Sequence, residues 1–385
     1  MSLKIALVAG EKSGDRLGAR LIQALKTYYP DAKFFGIAGP EMQAEGCQTM
    51  VDMDRLSVMG LAEVLRRLPE LLKIRKQLIK KLLADQPDIY IGIDAPDFNL
   101  PIARKLKRAG IKTMHFVSPS IWAWRGERVY SIGESIHHML TLFPFEVPIY
   151  EKAGVAASFV GHPTADDIPV IVDHKLARAK LDLDVAGRYI AVLPGSRESE
   201  VKRMLPVYCM AAKILLAKYP DLTFVIPAAT GSRYEQIYAL LKTLQKQHGE
   251  LPIQLVFGQA ETVLQATNAA MVTSGTVALE ALFCKQPMVV AYKVSALTYH
   301  WAKRKMLIDF VSLPNILAGR ELVKERLQHD ATPEQIADDV ERLLVDTELR
   351  EHMQESFCFI HRQLRRDASR RAAELVHQEV SKGAA

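Results

Sequence analysis

The feature that most constrains this chain is an alternation along its length. Short apolar runs rich in β-formers are each followed by a longer helix-like segment. Parallel strands cannot be joined by tight turns and need a crossover, usually a helix, so this pattern encodes parallel α/β sheets. The runs fall in two sets. The first lies at 3–9, 33–37, 88–93, 112–117, 139–142 and 158–160, and the second at 189–193, 223–226, 253–257, 270–273 and 288–292. Between them, residues 161–173 carry two prolines, three aspartates and no periodicity, which reads as an interdomain connection. Beyond Ala331 the pattern is helical, with Pro333 near a helix start and no further strand.

The expectation is therefore two doubly wound domains, 1–165 and 166–345, followed by a helical tail at 346–385. A cleft between them would be lined by the carboxyl ends of both sheets, where such folds bind nucleotides. At 385 residues, 49% of them hydrophobic, the chain is long enough for two cores. It has no run of about 18 uncharged apolar residues, and its first residues lack a cleavage pattern, so it reads as neither transmembrane nor secreted. Cys47, Cys209, Cys284 and Cys358 are far apart in sequence and read as reduced thiols.

Three loops at strand ends carry the chemistry. The first strand runs into Gly10-Glu11-Lys12-Ser13-Gly14-Asp15, whose glycines at 10, 14 and 18 are too widely spaced for a dinucleotide fingerprint. Gly10, Glu11, Ser13, Gly14 and Asp15 are candidate loop contacts. The run at 88–93 delivers Asp94 to a strand's carboxyl end, where a general base would stand. Asp97 or Asn99 would cap the helix that follows, with Pro101 in its first turn.

In the second set, Pro194-Gly195-Ser196-Arg197 ends a strand before a helix. Backbone amides, helix dipole and guanidinium together suit a phosphate. Ser274-Gly275-Thr276 repeats the arrangement, and Glu280, further into that helix, is placed to accept hydrogen bonds from ribose hydroxyls. Two such loops favour a diphosphate sugar nucleotide. Asp52-Met-Asp54 and Asp182-Leu-Asp184 have the spelling of a diphosphate-metal motif but read as solvated loops. His115 and His162 read as core or cap residues, and the pair His137-His138 does not read as a metal site. No metal and no cofactor is expected.

The formal net charge of +6 has an address. Residues 58–83 hold seven basic and two acidic side chains. Over 70–83, apolar residues fall on about half the helical circumference, with Lys73, Lys76, Lys80 and Lys81 opposite and Arg75 inside the apolar arc. A preceding segment, 61–68, is similar, and Pro69 would bend the two apart. A basic amphipathic segment of this kind suits an anionic membrane surface. Leu65, Leu68, Leu71, Leu72, Arg75 and Lys76 are the candidates to face it, with help from 299–306. The segment 70–83 has no aromatic residues among its charges, which argues against nucleic acid.

Seven stretches, in order, resemble the lipid-A-disaccharide synthase family: LVAGEKSGD at 7–15, GIAGPEMQAEG at 36–46, GIDAPDFN at 92–99, VSPSIWAWR at 117–125, then 193–197, 274–280 and SLPNILAGRE at 312–321. Lys12 departs from the pattern, which more often has a small residue there. The resemblance implies a GT-B fold, UDP held mainly by the second domain, and no metal. It implies transfer from UDP-2,3-diacylglucosamine to 2,3-diacylglucosamine 1-phosphate with inversion, at the cytoplasmic face of the inner membrane. By matching motif it also implies that Asp94 is the base, Arg197 the diphosphate partner, and Glu280 and Asn315 nucleotide contacts. A homodimer is a further expectation. Two other classes fit parts of the pattern. A sugar-nucleotide epimerase would share the phosphate loops without needing an acyl-chain surface, and a nucleic-acid binder would share the charge.

Overall fold

The computed structural model describes residues 2–56, 61–294 and 308–382, with the backbone alone described at 61–65. The chain forms two compact units, one from Met1–Asp166 with Leu364–Ala385, the other from Asp167–Gln363.

The first unit is built on seven parallel strands: β1 (Lys4–Ala9), β2 (Lys33–Ala38), β3 (Gln48–Asp52), β4 (Ile89–Ile93), β5 (Lys112–Phe116), β6 (His138–Thr141) and β7 (Ala157–Phe159). Their order is β3-β2-β1-β4-β5-β6-β7. Apart from Lys4 at its start, β1 is apolar and buried, as β4 is throughout, because crossover helices cover each side of a parallel sheet. The order reverses direction between β1 and β4. Such a switch point opens a crevice at the carboxyl ends of the two strands. It brings the loop at 10–14 beside the loop at 94–99, and a Cβ on Gly10 would stand 2.9 Å from the Cβ of Ala95.

The second unit has six parallel strands: β8 (Arg188–Leu193), β9 (Leu222–Ala228), β10 (Ile253–Phe257), β11 (Ala269–Thr273), β12 (Met288–Tyr292) and β13 (Lys324–Leu327). The order β10-β9-β8-β11-β12-β13 places its switch point between β8 and β11.

Four sequence expectations change. β3 and β13 do not appear among the expected strands. Both are edge strands, polar and part-exposed, so they lack the apolar run that marks a central strand. Pro69 does not split the basic segment, because a single helix runs Leu61–Asp85 through it.

The chain's end is not a free-standing tail. Helix Thr347–Leu364 belongs to the second unit, apart from its last residue. Helix Ala368–Ser381 returns to the first. Ala368, Ala372, Ala373 and Val376 of the returning helix are buried in the first unit's core. Asp166 fixes the helix start by accepting from the amides of Arg366, Asp367 and Ala368. Finally, neither Asp97 nor Asn99 caps helix Pro96–Arg108, whose N-cap is Ala95. Among the described residues, no helix is long and apolar enough to cross a membrane.

Candidate active site

Asp94 follows β4 directly, at the first switch point. Its backbone takes φ 51°, and Ala95 takes φ 41°. Left-handed backbone at two consecutive residues other than glycine costs on the order of 1–3 kcal/mol apiece and persists only where the surroundings fix it. They do so here. The Asp94 amide donates to Phe116 O at 2.9 Å, and the buried Asn99 amide donates to Asp94 O at 2.8 Å and Val8 O at 3.2 Å. Asn99 Oδ1 accepts from Tyr90. Asn99 therefore holds the ends of β1 and β4 in register, a positioning role that its reading as a cap missed.

The Asp94 carboxyl is half-buried. Burial first, then the charge of Glu11, pushes its pKa up to about 6, and the protonated form of Asp94 is further favoured because it can donate a hydrogen bond to Glu11. Glu11 also accepts from Ser13 Oγ at 2.6 Å. Asp15 is not on this crevice. Its buried carboxylate accepts from the amides of Gly39, Glu41 and Met42, so its role is to fix helix Pro40–Ala44.

The second switch point carries a cavity of about 500 Å³, within the usual range for a small-molecule site. The loops after β8 and β11 meet there. Gly195, Ser196, Arg197, Ser274, Gly275, Thr276 and Glu280 all line it, with Pro227–Ala229 and Gly258–Ala260 opposite. Burial, then the charge of Glu261, raises the pKa of Glu280.

One residue changes the expected phosphate chemistry. Glu200 Oε2 accepts from the amides of Ser196 and Arg197, both at 3.1 Å, and Oε1 pairs with the Arg197 guanidinium at 2.9 Å. It is the third-residue member of a capping box. Those two amides are thus occupied from within the helix, which leaves the exposed guanidinium as the principal cationic group of this loop. Gly195 makes the turn possible: its φ is 113°, and a Cβ would lie 2.5 Å from that of Glu200. A glutamate three residues after a loop arginine was the sequence signal.

Other expected residues lie elsewhere. Asn315 is fully buried and does not line the cavity. Its amide donates to Val323 O and Glu325, and its oxygen accepts from the amides of Leu322 and Val323. It clamps the approach to β13. Asp52 caps the turn Met53–Arg55, and Asp184 accepts from Ala186, so these carboxylates organise turns. Among the described residues, no three metal-binding side chains converge.

On helix Leu61–Asp85, Leu68 and Leu72 are exposed, at 42% and 44%. Leu71 is half-buried, whereas Ile74, Leu78 and Leu82 are core. Lys76 is exposed, and the half-buried Arg75 donates to Asp97 O, bracing the loop after β4. The Leu65 side chain and the stretch 299–306 lie outside the described residues.

The chain matches the family model described as lipid-A-disaccharide synthetase over residues 5–380. It is 52% identical to the lipid-A-disaccharide synthase of Azotobacter vinelandii, covering 97% of both chains. With the enzyme of the same name from Chromobacterium violaceum it is 46% identical over the same share. Among solved structures it resembles the UDP-GlcNAc 2-epimerase of Neisseria meningitidis bound to UDP-GlcNAc, with TM-score 0.67 at 15% identity over 98% of this chain and 100% of that one. It also resembles a glycosyltransferase from Rickettsia africae, with TM-score 0.61 at 12% identity over 99% of this chain and 98% of that one. At those identities the structural likeness speaks for the fold, which is of the GT-B type.

Proposed function

The chain belongs to the lipid-A-disaccharide synthetase family and is a glycosyltransferase, and on that premise we propose that Asp94 is its general base and Arg197 its leaving-group partner. The reaction joins UDP-2,3-diacylglucosamine to 2,3-diacylglucosamine 1-phosphate and releases UDP. Asp94 takes the proton from the acceptor's 6-hydroxyl as that oxygen attacks the anomeric carbon from the face opposite UDP. A β-1,6 bond forms, the bond to UDP breaks, and configuration inverts. Negative charge gathers on the departing diphosphate, where the Arg197 guanidinium offsets it.

The observation that carries this reading is the state of Asp94. It is held at the carboxyl end of β4 by strained backbone, with a pKa of about 6. An efficient base has a pKa near the working pH, and this carboxyl is ionised yet more basic than an ordinary aspartate. Gly195, Ser196, Ser274, Gly275, Thr276 and Glu280 form the donor's nucleotide site. The cavity they line supports that assignment. An epimerase reading is weaker, since it has only fold-level likeness behind it while the synthase relatives share about half of their residues with this chain.

The exposed Leu68 and Leu72, beside the exposed Lys73 and Lys76, support docking at the anionic inner face of a membrane, where both acylated substrates reside. A homodimer is part of the same proposal. Mass spectrometry of the product made from the two lipid substrates tests the function. A tetraacyl disaccharide 1-phosphate is expected, and epimerised sugar nucleotide alone would contradict it.

A further inference from the structure

The acceptor presents three things to its enzyme: a hydroxyl, a phosphate and acyl chains. Asp94 accounts for the hydroxyl only. On the same edge of the first unit's sheet, β5, beside β4, and β6, beyond it, also end in loops. Val117 follows β5 with φ 79°, a marked outlier for a β-branched residue, and the chain then runs through Trp122, Trp124 and Arg125. After β6 come Phe143 and Phe145, whose rings stack with centroids 5.4 Å apart, while Trp122 meets Phe145 edge-on at 5.3 Å. All three rings are half-buried, so they form a shelf with an open side.

The shelf is built in advance. Beneath it Glu146 is buried, accepts from the Phe143 amide at 3.1 Å, and hydrogen-bonds Ser118 and Trp122, which ties the β5 loop to the β6 loop. The β5 loop is also fastened to the Asp94 loop, since Arg128 pairs with Asp97 at 2.7 Å. Arg125 is exposed, takes φ 61°, and lies 4.4 Å over the ring of Trp124, itself exposed. Among the described residues it has no carboxylate partner.

Resting on the proposed function, we infer that this loop pair is the acceptor site: Arg125 binds the 1-phosphate, and the shelf of Trp122, Phe143 and Phe145 receives the acylated sugar. The charges are complementary, because a phosphate monoester meets an unneutralised guanidinium. The Arg128–Asp97 ion pair ties the β5 loop to the loop that carries the base. Lys12, exposed at the start of helix Lys12–Lys26, is the competing cation.

The test uses two acceptors, 2,3-diacylglucosamine 1-phosphate and the same lipid without its phosphate, with saturating UDP-2,3-diacylglucosamine. For the phosphorylated acceptor, Arg125→Ala should raise KM about tenfold to a hundredfold, the range of one charge-assisted hydrogen bond. KM for the dephosphorylated acceptor and for the donor should hardly move. Arg125→Lys should recover part of the loss, and Trp122→Ala, which removes a ring of the shelf, should weaken both acceptors alike. Arg125 is exposed, so unchanged thermal melts should accompany the kinetics.

Equal losses for both acceptors, a raised donor KM, or the phosphate-specific loss appearing in Lys12→Ala instead would overturn the assignment of Arg125. If the wild-type enzyme makes no disaccharide from either acceptor, the functional reading fails and takes this inference with it.

Discussion

Glu11, at the amino end of helix Lys12–Lys26, stands within hydrogen-bonding reach of Asp94, at the carboxyl end of β4, and accepts from it when Asp94 is protonated. The two carboxyls face each other across a switch point, so the same topology that opens the crevice also raises the basicity of the group in it. Burial contributes most of the upward shift of Asp94, and Glu11 adds to it through its charge.

A pH dependence follows. As the base, Asp94 must be ionised, so kcat/KM for the acceptor should rise with pH through an apparent value of about 6 and level off above it. Glu11→Gln removes the like charge and should move this limb to lower pH. Initial rates from pH 4.5 to 8 check it, and an unmoved limb would separate Glu11 from the base.

Arg197 and Glu280 should fail in different ways. Arg197→Ala removes charge stabilisation that grows as UDP departs, and should lower kcat by about 10²–10³. Glu280→Gln should raise the donor KM with less change in the saturated rate. Identical defects in the two variants would mean that their roles are misassigned.

Much of this arrangement was legible in the sequence. Apolar runs marked the central strands because burial on both faces leaves no room for polar residues. The loops at 94 and at 194–197 were readable because they end such strands. Edge strands β3 and β13 were not, since half-exposed segments such as Gln48–Asp52 carry no distinctive pattern. Contacts set by tertiary approach were also hidden: the capture of Asp15 by three amides, of Asn315 by 322–325, and the return of helix Ala368–Ser381 to the first unit. Glu200 lay in between, since its spacing from Arg197 was visible but its occupation of the loop amides was not.

His115 should make the protein acid-sensitive. It is fully buried with neither ring nitrogen hydrogen-bonded, and burial pushes its pKa down to about 3. In the unfolded chain it protonates near its ordinary value of about 6.5. The unfolded state therefore binds the extra proton between these values, and stability falls as pH drops from about 6.5 towards 3. From pH 7 to 5 this amounts to about 2 kcal/mol. Urea melts at both pH values should show a smaller drop for His115→Phe than for the wild type, and equal drops would contradict the assignment.

The helix Leu61–Asp85 should divide by exposure. Leu78→Ser places a hydroxyl in the core and should destabilise by about 3 kcal/mol or more. Leu68→Ser with Leu72→Ser, both on exposed positions, should leave the melting temperature within a degree or two of wild type, yet lower co-sedimentation with anionic vesicles. Undiminished sedimentation of the well-folded double variant would remove this face from membrane docking.

The most direct measurement is single-turnover kinetics of Asp94→Asn with both lipid substrates, alongside calorimetric titration of the same protein with UDP. The substitution keeps the side chain's shape and removes its basicity. If Asp94 takes the acceptor's proton, the rate of disaccharide formation should fall by about 10²–10⁴ while UDP affinity stays at the wild-type value. A rate within a few-fold of wild type would contradict the account.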